Sequence, residues 1–172
     1  MSPGINYKKC GLKKFLAKNK NRICTDLDIF YTNYPKNLTI AITGTNGKST
    51  TVELLSSILK NSGKDARSVG NIGKSILNEK KIKKNTIFVI EASSYQLEYS
   101  KIFKSKYAAI LNISPDHIER HKTINNYVKA KFRLIKNQTK KSFAFVNKKN
   151  ALINKEVTSK KFNSKIIDVD RN

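Results

Sequence analysis

Short apolar runs alternate with amphipathic stretches along this chain. Leu38-Thr39-Ile40-Ala41-Ile42-Thr43 is rich in β-branched residues and is bounded by Asn37 and Gly44. That pattern predicts a strand buried on both faces, as in a parallel sheet. From Ser49 the spacing changes. Val52, Leu55, Ile58 and Leu59 recur at three and four residues, which predicts a helix to about Asn61, stopped by Gly63. Further strands are predicted over 66–69, 86–91, 107–112, 142–146 and 165–169, and helices over 74–79, 94–101, 123–137 and 149–160. Strands alternating with helices predict an α/β fold, a mostly parallel sheet flanked by helices through right-handed crossovers. Residues 1–37 read as irregular. They hold turn chemistry at Ser2-Pro3-Gly4-Ile5, a short basic helix within Leu12–Lys20 and a turn at Tyr34-Pro35-Lys36-Asn37.

Composition narrows this picture without redirecting it. A length of 172 residues suits one α/β domain, and 38% hydrophobic content suits a soluble chain. No apolar run approaches the roughly 20 residues of a membrane span, and the first residues do not resemble a secretory signal. Cys10 and Cys24 form no recognisable framework, so a reduced cytoplasm is the expected location. The net charge of +23 comes mostly from dispersed Lys rather than a patch of Arg interleaved with aromatics. Nucleic-acid binding is therefore not the expected main role, although anionic substrates are attracted at low ionic strength.

The chemistry concentrates just after predicted strands, where open parallel sheets bind ligands. Gly44-Thr45-Asn46-Gly47-Lys48-Ser49-Thr50 joins the first strand to its helix. Glycines let the backbone turn its N–H groups onto phosphate oxygens, and the helix N-terminus adds partial positive charge. Lys48 is placed to reach β- and γ-phosphates, and the Ser49 hydroxyl to bind Mg²⁺. Glu91 closes another strand, where a carboxylate near a phosphate loop suits Mg²⁺ directly or through water. His117 follows the strand at 107–112, and a neutral imidazole there suits a second metal. Asp116 either orients His117 or caps its loop. His121 reads as a surface residue.

The loop departs from G-x-x-x-x-G-K-[ST], because Ile42 stands where the first glycine belongs. It is similar to the variant of the Mur ligase and folylpolyglutamate synthetase superfamily. Four more segments resemble the D-glutamate-adding Mur ligases. They are Gly70-Asn71-Ile72-Gly73, the run Glu91-Ala92-Ser93-Ser94-Tyr95-Gln96-Leu97-Glu98, the run from Asn112 to Arg120 containing Asp116-His117, and Tyr127-Val128-Lys129-Ala130-Lys131. With the phosphate loop they follow the family order over 44–131.

That resemblance implies a P-loop-type central domain using ATP and two Mg²⁺ ions. It implies nucleotide contacts from Gly44 through Thr50, substrate contacts from Asn71 and Ser93, one metal on Ser49 and Glu91, and another on His117 and a carbamylated Lys131. Lys48, Glu91, His117 and Lys131 are the implied catalytic set. The implied partners are UDP-N-acetylmuramoyl-L-alanine, D-glutamate and ATP, with no membrane partner and a monomeric full enzyme. Such ligases have three domains. Residues 1–37 are then expected to be the remnant of the UDP-binding domain and its linker, and 38–172 the first part of the central domain, inactive alone. Other ligases of the superfamily and a basic nucleotide- or nucleic-acid-binding module remain as alternatives.

Overall fold

The computed structural model describes Ile5, residues 9–73 and residues 75–169. Ser2, Pro3 and Gly4, the body of the expected N-terminal turn, lie outside these.

Six strands form one parallel sheet in the order β2-β3-β1-β4-β5-β6. They are β1 Leu38–Thr43, β2 Ala66–Gly70, β3 Ile87–Glu91, β4 Tyr107–Ile110, β5 Phe143–Val146 and β6 Lys165–Asp168. Period-two alternation sends successive β1 side chains to opposite faces. Ile40 and Ile42 join Val89 against Val52, Leu55 and Leu59 of α3 (Lys48–Asn61). Ala41 faces the other side, in the larger core. That core also takes residues from α2 (Asp26–Asn33), α4 (Ser94–Tyr99), α6 (Ile124–Lys136) and α7 (Ala151–Ser159). The remaining helices are α1 (Lys13–Lys18) and the single turn α5 (Ile118–His121). Helices α3 and α6 cover opposite faces, so the sheet reverses its winding between β1 and β4. A crevice at their carboxyl ends is the usual ligand position.

The elements expected from the apolar pattern recur with small shifts, and three differences have physical causes. The segment read as irregular contains α2, whose Leu27 and Phe30 are buried in the main core and whose Phe30 ring packs edge-on against Phe88 at 4.8 Å. Its start is set by Thr25 and Asp28, which form a capping box. The helix expected over 74–79 is only a 3₁₀ turn at Ile76–Asn78. Beyond it, Arg67 binds the Glu79 carboxylate and the carbonyls of Lys80 and Lys81, holding that stretch open. The strand expected over 107–112 stops at Ile110. The Asn112 carbonyl instead accepts the Thr45 N–H at 2.9 Å, so this stretch turns toward the phosphate loop.

Candidate functional site

Gly47 caps α3 with φ +79°, a left-handed turn that costs glycine nothing and leaves the first amides of α3 facing outward. Lys48 rests on its own loop, its Nζ donating to the Thr45 carbonyl at 2.8 Å. The exposed Ser49 hydroxyl donates to Glu91 Oε2 at 2.7 Å. The other carboxylate oxygen, Oε1, accepts from Asn71 Nδ2 at 2.9 Å, while the Asn71 backbone N–H donates to the Glu91 carbonyl at 2.9 Å. Glu91 is only 2% exposed, so the hydroxyl and the amide hold a buried carboxylate at the loop.

Gly70 makes this close approach of β2 and β3 possible. Its φ is +107°, and a Cβ there lies 2.3 Å from the Glu91 carbonyl oxygen. Gly70→Ala is expected to cost more than about 2 kcal/mol. Gly63→Ala, also at positive φ but with nothing within 4 Å, is expected to cost roughly 1 kcal/mol. Urea midpoints of the two variants check this. Equal costs would remove the steric argument.

Lys131 comes to the same loop from α6 and is 2% exposed. Its Nζ donates to the Gly44 carbonyl at 2.7 Å and lies 4.5 Å from the Tyr127 ring centroid. Burial, reinforced by the Lys48 charge, lowers its pKa from 10.5 to about 7, while Asp116 and Glu91 pull weakly the other way. A near-neutral amine thus sits at the phosphate loop. Tyr127 completes the enclosure, its hydroxyl 3.2 Å from Thr45 Oγ1. Burial raises the pKa of that phenol.

His117 stands on the other rim with φ +51°, its ring 5.0 Å from Tyr95 and 6.3 Å from Tyr127. Its Nε2 lies 3.3 Å from Asp116 Oδ2, and the Asp116 Oδ1 accepts the His117 backbone N–H at 2.8 Å. Asp116 therefore caps the loop, and its second oxygen lies within ion-pair distance of the ring.

The profile of the Mur ligase middle domain matches residues 42–172. The chain belongs to the Mur ligase family. The UDP-N-acetylmuramoylalanine--D-glutamate ligase of Alkaliphilus oremlandii is 48% identical over 109 residues, 63% of this chain and 24% of that one. Its counterpart in Elusimicrobium minutum is 44% identical over 156 residues, 85% of this chain and 34% of that one. The chain thus spans about a quarter to a third of the length of these relatives. The MurF ligase of Thermotoga maritima, solved in complex with ADP, shares the fold. Its TM-score is 0.60 at 22% identity over 90% of this chain and 35% of that one.

Within this Mur ligase domain the structure brings Gly44 through Thr50, Asn71, Glu91 and Lys131 together at the ends of β1, β2 and β3. Ser93 sits beside them but is engaged as the N-cap of α4, accepting from the Gln96 N–H at 3.2 Å. His121 departs from expectation. It is 4% exposed, its Nε2 is 3.0 Å from Ser94 Oγ, and burial lowers its pKa. Its polar neighbours in sequence gave no sign of this, because the covering rings of Tyr95 and Tyr127 come from α4 and α6. Sequence reasoning also passed over Asn112. Its side chain accepts the Asn46 N–H at 2.9 Å and donates to the Asn46 carbonyl at 3.1 Å. The available signal was its place as the first residue of the family-like run from Asn112 to Arg120.

Proposed function

We propose that this chain supplies the phosphate-gripping and metal-binding part of an ATP-dependent ligase that joins D-glutamate to UDP-N-acetylmuramoyl-L-alanine through an acyl phosphate. The observation carrying this reading is the meeting of Ser49, Glu91 and the Lys131 amine at one phosphate loop. The names of the relatives supply the substrates, and the ADP complex of the Thermotoga neighbour supports the nucleotide.

A substrate carboxylate must approach a triphosphate, and two unit charges at 4 Å repel by about 4 kcal/mol at an effective dielectric of 20. The chain answers with cations and oriented dipoles. Lys48, resting on the Thr45 carbonyl, has a neutral partner to leave when anionic oxygens arrive. The first amides of α3 and its N-terminal dipole face the same anion. Asn71 and the loop at 70–73 lie beside Glu91, where the muramoyl end of the substrate is received.

The donors fit Mg²⁺. Ser49 and Glu91 present hard oxygens 2.7 Å apart, and among the described residues no three of His, Cys, Asp and Glu converge to hold a metal without help from another type. Lys131 supplies that help as a carbamate, since with a pKa lowered to about 7 a substantial share of its amine is unprotonated near neutral pH and so able to take up CO₂. His117 is the remaining donor for the second ion. Bound Mg²⁺ neutralises phosphate charge during phosphoryl transfer. Asp116 keeps the His117 ring turned, and Tyr127 keeps water from the Lys131 nitrogen.

Calorimetric titration with magnesium and ADP tests the cradle. Lys48→Ala is expected to weaken binding by roughly ten- to hundredfold. Unchanged affinity would remove Lys48 from the site. In the full-length enzyme, turnover of UDP-N-acetylmuramoyl-L-alanine with D-glutamate, set against a folate substrate, decides the substrate class.

A second reading has one observation in its favour. Lys129, Arg133, Lys136, Lys160 and Lys161 line a groove of about 540 Å³ beside Phe162, with Glu156 paired to Lys160 among them. Cations around an aromatic ring suit a single-stranded polyanion. Tight oligonucleotide binding with a steep salt slope, lost in Lys129→Glu/Arg133→Glu, would favour it.

A further inference from the structure

We infer that Asn112 is a positioning residue. It gives the phosphate loop its shape and fastens that loop to the segment bearing Asp116 and His117. This inference rests on the reading of residues 44–50 as a nucleotide cradle.

The loop at 44–47 is held less by bonds within itself than by Asn112, which takes the N–H groups of both Thr45 and Asn46. Its shape is imposed from β4. Thr45 N–H donates to the Asn112 carbonyl at 2.9 Å, as if β1 and β4 were still paired. The Asn112 side chain then adds one more rung. Its Oδ1 accepts the Asn46 N–H and its Nδ2 donates to the Asn46 carbonyl. A primary amide is the only short side chain that offers both an acceptor and a donor in the geometry of a peptide group. Aspartate lacks the donor, and alanine lacks both.

A second fastening lies on the far side of Asn112. Thr45 Oγ1 accepts the Ser114 N–H at 3.0 Å and donates to the Ser114 carbonyl at 3.2 Å. Two consecutive loop residues, Thr45 and Asn46, are thus bonded reciprocally to two residues of the segment 112–114. That segment continues within three residues to His117. The loop and the His117 rim are therefore one body, and a nucleotide that orders the first also orders the second. Asn112 is half-buried, so these bonds are sheltered without being part of the core.

Amide hydrogen exchange by NMR tests the shaping directly. In Asn112→Ala, the Asn46 amide is expected to exchange roughly tenfold faster, while Ile42 and Val89 amides in the sheet keep their rates. Asn112→Asp retains an acceptor and is expected to restore Asn46 protection, whereas a merely space-filling role predicts no difference between the two variants. Binding of magnesium and ADP should weaken by about tenfold in Asn112→Ala, with an unchanged urea midpoint. Unchanged Asn46 exchange in Asn112→Ala overturns the inference. If exchange responds but wild-type protein binds no ADP, the positioning stands and the cradle reading fails instead. If ADP binds wild type and Asn112→Ala equally while exchange responds, the fastening exists but does not serve the ligand, which overturns the inference as stated.

Discussion

Lys131→Met is expected to make the folded protein more stable, by about 2–3 kcal/mol at pH 6, and to abolish CO₂ uptake at the site. The stabilisation follows from the amine's position. In the unfolded chain it titrates at its ordinary value near 10.5, and in the fold at about 7. Below pH 7 the amine is protonated in both states, and the fold carries the full cost of a buried charge. Between 7 and 10.5 the unfolded chain holds a proton that the folded chain does not, so stability rises with pH. Above 10.5 the difference is gone.

The drop corresponds to a ceiling of about 5 kcal/mol. Methionine follows the side chain to within one atom of its end and carries no charge, but it leaves the Gly44 carbonyl without its donor at 2.7 Å. That loss returns roughly 1–3 kcal/mol. The advantage of the variant should therefore be largest at pH 6 and shrink steadily toward pH 10, as urea unfolding at several pH values will measure. A variant less stable than wild type at pH 6 would contradict the buried, deprotonating amine.

On the proposed reading, the same deprotonation equips the lysine for its chemistry. Its lone pair would bond the carbon of CO₂ and the nitrogen would release a proton to solvent, leaving a carbamate anion beside the Lys48 ammonium. With ¹³C-bicarbonate, wild-type protein should show a carbamate carbon resonance that Lys131→Met lacks. Such a carbamate would make Lys131 a residue that weakens the fold in exchange for site chemistry, a common trade in active sites.

How much of this was legible beforehand depends on where each signal lies. The strands were readable because β-branched runs such as Leu38–Thr43 carry their burial in their own composition. The phosphate loop was readable because its glycines, Lys48 and Ser49 are contiguous. Lys131 was different. Among so many lysines, only its place in a family motif marked it, and its burial depends on Tyr127 and on the Gly44 carbonyl across the sheet. His121 was misjudged for the related reason that its cover comes from Ser94 and Tyr95. Asn112 went unread because its task is to copy a backbone hydrogen bond, which leaves no periodicity. Helix α2 was missed although Thr25 and Asp28 stand in a capping spacing about Leu27, with Phe30 three residues beyond it. The irregular stretch before it masked the pattern.

Asp28→Ala is expected to destabilise the fold by about 3–5 kcal/mol, the largest single cost outside the apolar core. Asp28 is 2% exposed and accepts from six donors. They are the N–H groups of Thr25, Lys101, Ile102 and Phe103 and the hydroxyls of Thr25 and Ser100, the closest at 2.9 Å. Alanine would leave these donors buried around a space without an acceptor, and each lost partner costs roughly 1–3 kcal/mol where relaxation is incomplete. Asp28→Asn keeps the volume yet turns an NH₂ toward N–H groups, so it should recover less than half of the loss. The consequence reaches the site, because residues 100–103 lead out of α4. That helix carries Ser94 to His121 and Tyr95 to His117. Loosening its end should raise the exchange rates of α4 amides before those of β1. Urea titration with residue-resolved exchange measures both effects. Equal stability of Asp28→Ala and wild type would mean that water satisfies these donors as well as the carboxylate does.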